Sequence, residues 1–278
     1  MKIGKSLALV ALLGATNLAA QDPAPTGPGD TVGVGVSRDP LFTKRDAWIA
    51  GGFVVGTIVL FPLDKYAARE LQRPQTQANR FFRHQATNVR LITENAYWIG
   101  GGLYLVGRLS GNDQMADLGW HGTEAIAVGM GITTLGKVLA GRARPLVNIE
   151  DPTNFKFGRG LKQENYRSFP SGHTLTAFAA ASAVTAETAR WWPKQKWLIG
   201  TAMYGGATLV GLSRMYNNKH WASDVMMGAA IGTFAGRKVV RYHHSHPNNR
   251  IDRIILGANI SPSVDGGMRL SLSLAPGR

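Results

Sequence analysis

Three short blocks of the sequence carry residue types that do phosphate chemistry. Lys137 is followed after six residues by Arg144-Pro145. Pro170-Ser171-Gly172-His173 comes 24 residues later. After a further 39 residues stand Ser213-Arg214, then His220 and Asp224. Each block alone has an ordinary reading: cations at a helix C-terminus, a cap and turn before an apolar run, a satisfied His–Asp pair. Together they make a reaction centre. Lys137, Arg144 and Arg214 supply positive charge, the arginines as forks that match phosphate oxygens and the lysine as a point charge. Ser171 and Gly172 place backbone N–H groups at a helix start, a ready anion site, and Gly172 lets the backbone come close. The ligand such a set fits is a tetrahedral or trigonal-bipyramidal oxyanion, most simply phosphate. Of the two histidines, His220 has Asp224 one helical turn on to take its Nδ1 proton, which leaves Nε2 free for in-line attack. His173 is then the general acid for the leaving oxygen. Fixed cations stabilise the equatorial oxygens, so no metal and no cofactor is required.

These chemical roles demand that the blocks meet, and the elements between them supply the means. Apolar windows recur at about 94–108, 118–140, 174–191, 197–213 and 222–240, each rich in Gly and Ala, as close helix packing requires. In an up-and-down bundle Lys137 and Arg144 lie at and beyond one helix end and His173 at the start of the next. Arg214 ends the following helix, and His220 and Asp224 enter the one after. Alternating directions bring all of them to the same end. Internal polar residues (Glu124, Thr176, Glu187) favour a helical bundle over a set of lipid-exposed spans. Ala47–Leu63 is 17 residues without a charge, a short transmembrane helix or a buried one. A polar, amphipathic stretch, Lys65–His84, follows it.

The three blocks resemble, element by element and in spacing, the signature of the type 2 phosphatidic acid phosphatase (PAP2) superfamily: Lys-x6-Arg-Pro, Pro-Ser-Gly-His and Ser-Arg-x5-His-x3-Asp. The resemblance covers 137–224. It implies an all-α multi-helix bundle and a phosphatase working through a phosphohistidine. His220 would be the nucleophile, Asp224 its partner, and His173 the acid and later the base for water. Lys137, Arg144, Ser171, Gly172 and Arg214 would bind phosphate. Vanadium-dependent haloperoxidases resemble the same motifs, with vanadate in place of phosphate; this chain is short for that class.

Composition narrows the rest. The 278 residues are 44% hydrophobic and 17% charged, with a formal net charge of +14, enough apolar material to exclude a disordered chain. There is no cysteine, which removes disulfides, thiolate metal sites and cysteine nucleophiles. Lys2 and Lys5, the apolar run Leu7–Leu13 and small residues to Ala20 have the layout of a secretory signal peptide. The expected organisation is a signal peptide at 1–20, an extended Pro/Gly-rich leader at 21–45, the helical domain at 46–245 and a tail at 246–278. In that tail Leu256, Ala258 and Ile260, then Met268, Leu270, Leu272 and Leu274, alternate with a period of two around Ser263–Gly267, which reads as a short C-terminal β-hairpin. An exported, periplasmic or membrane-associated protein follows, with a phosphorylated small-molecule or lipid partner and no nucleic acid. A non-enzymatic basic protein binding anionic lipid is the reading from another class.

Other residues have blander readings. His121 and Glu124 show only two metal ligands and read as a buried hydrogen-bonded pair. His243, His244 and His246 read as a cationic helix end. Arg142, between Lys137 and Arg144, is placed to touch a substrate headgroup. Trp191, Trp192 and Trp197 read as core or an interfacial belt.

Overall fold

A computed structural model describes residues 40–246, 249–255, 258–262 and 268–272. The expected signal peptide at 1–20 and most of the expected leader lie outside the described residues. The first described helix, α1 (Lys44–Leu60), starts on a capping box: Thr43 Oγ1 accepts from the Asp46 N–H at 3.3 Å and the Asp46 carboxylate accepts from the Thr43 N–H at 2.8 Å. A 3-10 turn with Pro62 (Phe61–Leu63) leads into α2 (Asp64–Leu71), then α3 (Pro74–Gln77), α4 (Arg80–Glu94) and α5 (Ala96–Ser110). Next come α6 (Asp113–Ala140), α7 (Gly172–Trp191), α8 (Lys196–Tyr216), α9 (Ala222–Ser245) and the short α10 (Arg250–Ile255). The described residues are therefore mostly helical; the apolar windows at 118–140, 174–191, 197–213 and 222–240 each fall on one helix, and the window at 94–108 begins on the last residue of α4 and runs into α5.

The centre of the bundle is the α7–α9 pair. Gly228, Gly232 and Gly236 form a ladder along α9. A Cβ on Gly228 would lie 2.4 Å from the Ser171 carbonyl, one on Gly232 2.4 Å from the Leu175 carbonyl, and one on Gly236 2.6 Å from the Ala179 carbonyl. Only a missing side chain permits that approach. Trp221, Leu175, Phe178, Val225, Met226 and Ala229 fill the adjoining core. α6, α8 and α1 pack around this pair, and α5 packs on α6.

Apolar surface also points outward. Trp48, Val54, Val55, Ile58 and Val59 on α1 are exposed, as are Val128, Ile132, Leu135 and Leu139 on α6. Two helical stretches, Lys44–Leu71 and Asp113–Ala140, are long and apolar enough to cross a membrane. Near the C-terminus β1 (Ala258–Pro262) and β2 (Met268–Leu272) have an antiparallel register with Ile260 opposite Leu270. The turn expected at 263–267 lies outside the described residues.

Candidate active site

α6 ends at Ala140 because Gly141 turns left-handed, with φ +54°; a Cβ there would lie 1.8 Å from the Lys156 carbonyl. The loop 141–171 then folds back under the helix ends. Ala143 N–H donates to Asn154, Arg144 N–H to Asn165 and Ser168 N–H to Arg142, all to carbonyls at 2.8–3.1 Å. This loop joins the first two sequence blocks, and α8, the 217–221 turn and α9 carry the third.

The blocks do meet. Lys137 Nζ, in the last turn of α6, donates to the Pro170 carbonyl at 2.6 Å and the Arg167 carbonyl at 2.9 Å, and its Cε would touch a Cβ on Gly172. Ser171 N–H donates to the Asp224 carbonyl at 3.0 Å, tying α7 to α9. Arg214 is buried in the last turn of α8, and Arg144 faces Glu164 across 3.3 Å. His220 is 3% exposed and His173 29%.

Three details differ from the sequence expectation. First, Asp224 does not accept directly from His220. The carbonyl of Ser168 accepts from His220 Nδ1 at 2.7 Å, while Asp224 Oδ2 is 3.7 Å away. Asp224 Oδ2 is taken by the Ser168 hydroxyl at 2.5 Å and the Trp221 N–H at 2.9 Å. Second, Ser171 does not offer its N–H to an anion, since the Asp224 carbonyl already holds it, and its hydroxyl is paired with Thr174 at 2.8 Å. Gly172 and His173 supply the block's remaining helix-start N–H groups. Third, Arg142 does not face a substrate. It is fully buried and its five N–H donors are spent: two on the Pro152 carbonyl, one on Asp64, one on Ser223 and one on Asp224, at 2.6–3.0 Å. Phe61, Phe155 and Trp221 face its guanidinium at 4.4–5.4 Å.

The electrostatics follow from burial. Removal from water pulls the His220 imidazole down to about 3, the nearby Lys137 and Arg214 charges adding to this against the pull of Asp224. Burial, then Arg214, lowers His173 to about 4. Asp224, despite burial, is held down at about 2, first by Arg142. At neutral pH the site holds two neutral imidazoles, a carboxylate and three cations.

Residues 119–247 match the sequence profile of the PAP2 superfamily. A lipid A 1-phosphatase of Porphyromonas gingivalis is 39% identical over 106 residues, covering 36% of this chain and 23% of that protein. An undecaprenyl-diphosphatase of Sulfolobus acidocaldarius is 28% identical over 88 residues, covering 32% of this chain and 39% of that protein. The chain thus spans well under half the length of these relatives. Among solved structures, Aquifex aeolicus LpxE aligns with a TM-score of 0.43 at 24% identity, over 66% of this chain and 94% of that one. A transmembrane PAP2-type phosphatidylglycerolphosphate phosphatase from Bacillus subtilis aligns with a TM-score of 0.47 at 18% identity, over 70% and 96%.

Two residues outside the matched segment reach the candidate site. Asp64, at the start of α2, accepts from Arg142 at 2.7 Å and from the Ser223 N–H at 2.9 Å. Glu94, the last residue of α4, places Oε1 3.6 Å from His173 Nε2. Neither had a sequence signal, being isolated acids far from the motifs. Ser168 had one: it sits two residues before Pro170.

Proposed function

We propose that the protein is a metal-independent phosphatase of phosphomonoesters or lipid (di)phosphates that works through a phosphohistidine. The observation that carries this is the meeting of His220, His173, Lys137, Arg144 and Arg214 at one end of the bundle. His220 Nε2 attacks phosphorus in line, and the P–O bond to the leaving group breaks as His173 gives that oxygen its proton. The Nδ1 donation to the Ser168 carbonyl fixes the tautomer that leaves Nε2 nucleophilic. Lys137, Arg144, Arg214 and the Gly172 N–H hold the oxygens as negative charge builds on them. His173 then takes a proton from water, the hydroxide displaces Nε2 from phosphorus, and inorganic phosphate leaves with His220 restored. His173 begins neutral, so the incoming phosphate must raise it before it can act as acid.

The outward apolar faces of Lys44–Leu71 and Asp113–Ala140 support association with a membrane, where a lipid phosphate would be presented. Export through the N-terminal segment and the C-terminal hairpin are part of the same proposal. The test is phosphate release in EDTA from phosphatidic acid, a prenyl diphosphate and p-nitrophenyl phosphate, with His220→Ala alongside. Turnover that vanishes in the variant is expected; activity surviving in it would refute His220 as nucleophile. Release of the protein by osmotic shock without detergent would refute membrane association.

A further inference from the structure

The far end of the bundle gathers the histidines and acids that the phosphate chemistry leaves unused. His121 lies sixteen residues before Lys137 on α6, about 24 Å along the helix at ~1.5 Å per residue. The sequence offers it Glu124 as a partner, but the fold separates the two. His121 Nδ1 pairs with Glu187 of α7 at 2.5 Å, and Glu124 pairs with His243 Nε2 of α9 at 2.6 Å. The two imidazoles stack with centroids 4.3 Å apart.

Their other nitrogens turn toward Asp252 on α10. His243 Nδ1 is 2.5 Å from Asp252 Oδ1 and His121 Nε2 is 4.0 Å from it. His121 is 2% exposed, and its Nε2 has no hydrogen-bond partner among the described residues. A buried imidazole nitrogen without a partner is costly, which asks for a ligand at that point. The three ligand atoms all lie within 4.8 Å of one another.

We propose that His121, His243 and Asp252 bind a divalent metal ion of the zinc class, apart from the phosphate site. Two imidazoles and a carboxylate suit that class, and the remaining positions are left to water. Behind each histidine stands a carboxylate on its opposite nitrogen, Glu187 for His121 and Glu124 for His243. That arrangement orients metal-bound imidazoles and raises their basicity. The ion would clamp α6, α9 and α10 together. Asp252 is already steered, because Asn249 Nδ2 donates to its other oxygen at 2.6 Å.

The test uses untagged full-length protein, stripped with EDTA and desalted, then titrated with Co²⁺ as a visible probe and with Zn²⁺ in competition. One equivalent of Co²⁺ should bind with d–d absorption bands that Zn²⁺ abolishes, and the melting temperature should rise by several degrees. Asp252→Asn and His121→Ala should each weaken affinity at least tenfold, and Glu187→Gln by roughly 10–100-fold. If His121→Ala fails to fold, Asp252→Asn decides. Wild type that binds no Co²⁺ would overturn the proposal, leaving His243 as an imidazolium between Asp252 and Glu124. Unchanged affinity in Asp252→Asn would overturn it as well. Metal binding should persist in His220→Ala, so this result and the phosphatase assay fail independently.

Discussion

His220 Nδ1 donates to the backbone carbonyl of Ser168 at 2.7 Å, and Asp224 stands one hydrogen bond further off. The nucleophile candidate is oriented by main chain that cannot be mutated away. Asp224 acts behind it, on the Ser168 hydroxyl, the Trp221 N–H and Arg142.

Ser168→Ala therefore keeps the carbonyl and loses only the hydroxyl bridge. We expect kcat to fall by no more than about tenfold, the scale of one ordinary hydrogen bond of ~1 kcal/mol. Asp224→Asn removes the negative charge that offsets a phosphohistidine, and should cost on the order of hundredfold or more. Steady-state kinetics on the best substrate of the panel separate the two. Equal damage from both would show that the hydroxyl matters as much as the charge.

The pH profile should be asymmetric. The attacking His220 must be neutral, which holds above about 3. The acid His173 must be protonated, which in the free enzyme holds only below about 4. Since kcat/KM reports the free enzyme, it should be greatest in acid and fall as pH rises. A bound phosphate raises His173, so the falling limb of kcat should lie at higher pH. Coincident limbs, or kcat/KM still climbing toward pH 8, would exclude His173 as the acid.

Arg142→Met tests the buried anchor. Removing one cation leaves Asp64 and Asp224 facing each other without compensation, a loss of about 3–5 kcal/mol for a broken buried pair. Denaturant unfolding should show it. KM should change little in whatever protein remains folded, because the guanidinium touches no solvent-facing surface. A large KM rise with unchanged stability would instead restore Arg142 to the substrate side.

Gly232→Val drives a side chain into the Leu175 carbonyl, where a Cβ alone would be 2.4 Å away. Overpacking of this kind costs typically ~1–3 kcal/mol. A lowered melting temperature without loss of metal binding at the far end is the expected outcome.

The helices were readable because their signal is local: an apolar, Gly- and Ala-rich run needs no knowledge of its neighbours. The meeting of the three blocks was readable because three fixed spacings, laid on alternating helices, leave one place to meet. Partner choice was not. His121 and Glu124 look paired at i and i+3, yet each reaches across to another helix. The Ser168 carbonyl has no side-chain identity to announce that it orients His220. Arg142 looks placed to touch a substrate headgroup from its loop, and only the burial of Asp64 and Asp224 beside it turns it inward.

That inward turn limits how the protein could be re-engineered. Arg142 and Arg144 lie two residues apart, one fastening Asp224 from below and one facing Glu164 beside the proposed phosphate site. Grafting the whole 141–171 segment from a relative would exchange both together and cast Asp224 loose. Changes of substrate preference are better sought at the loop's outer positions. Phe157 and Leu161 are exposed there and anchor nothing in the interior. They are the natural sites for a directed library.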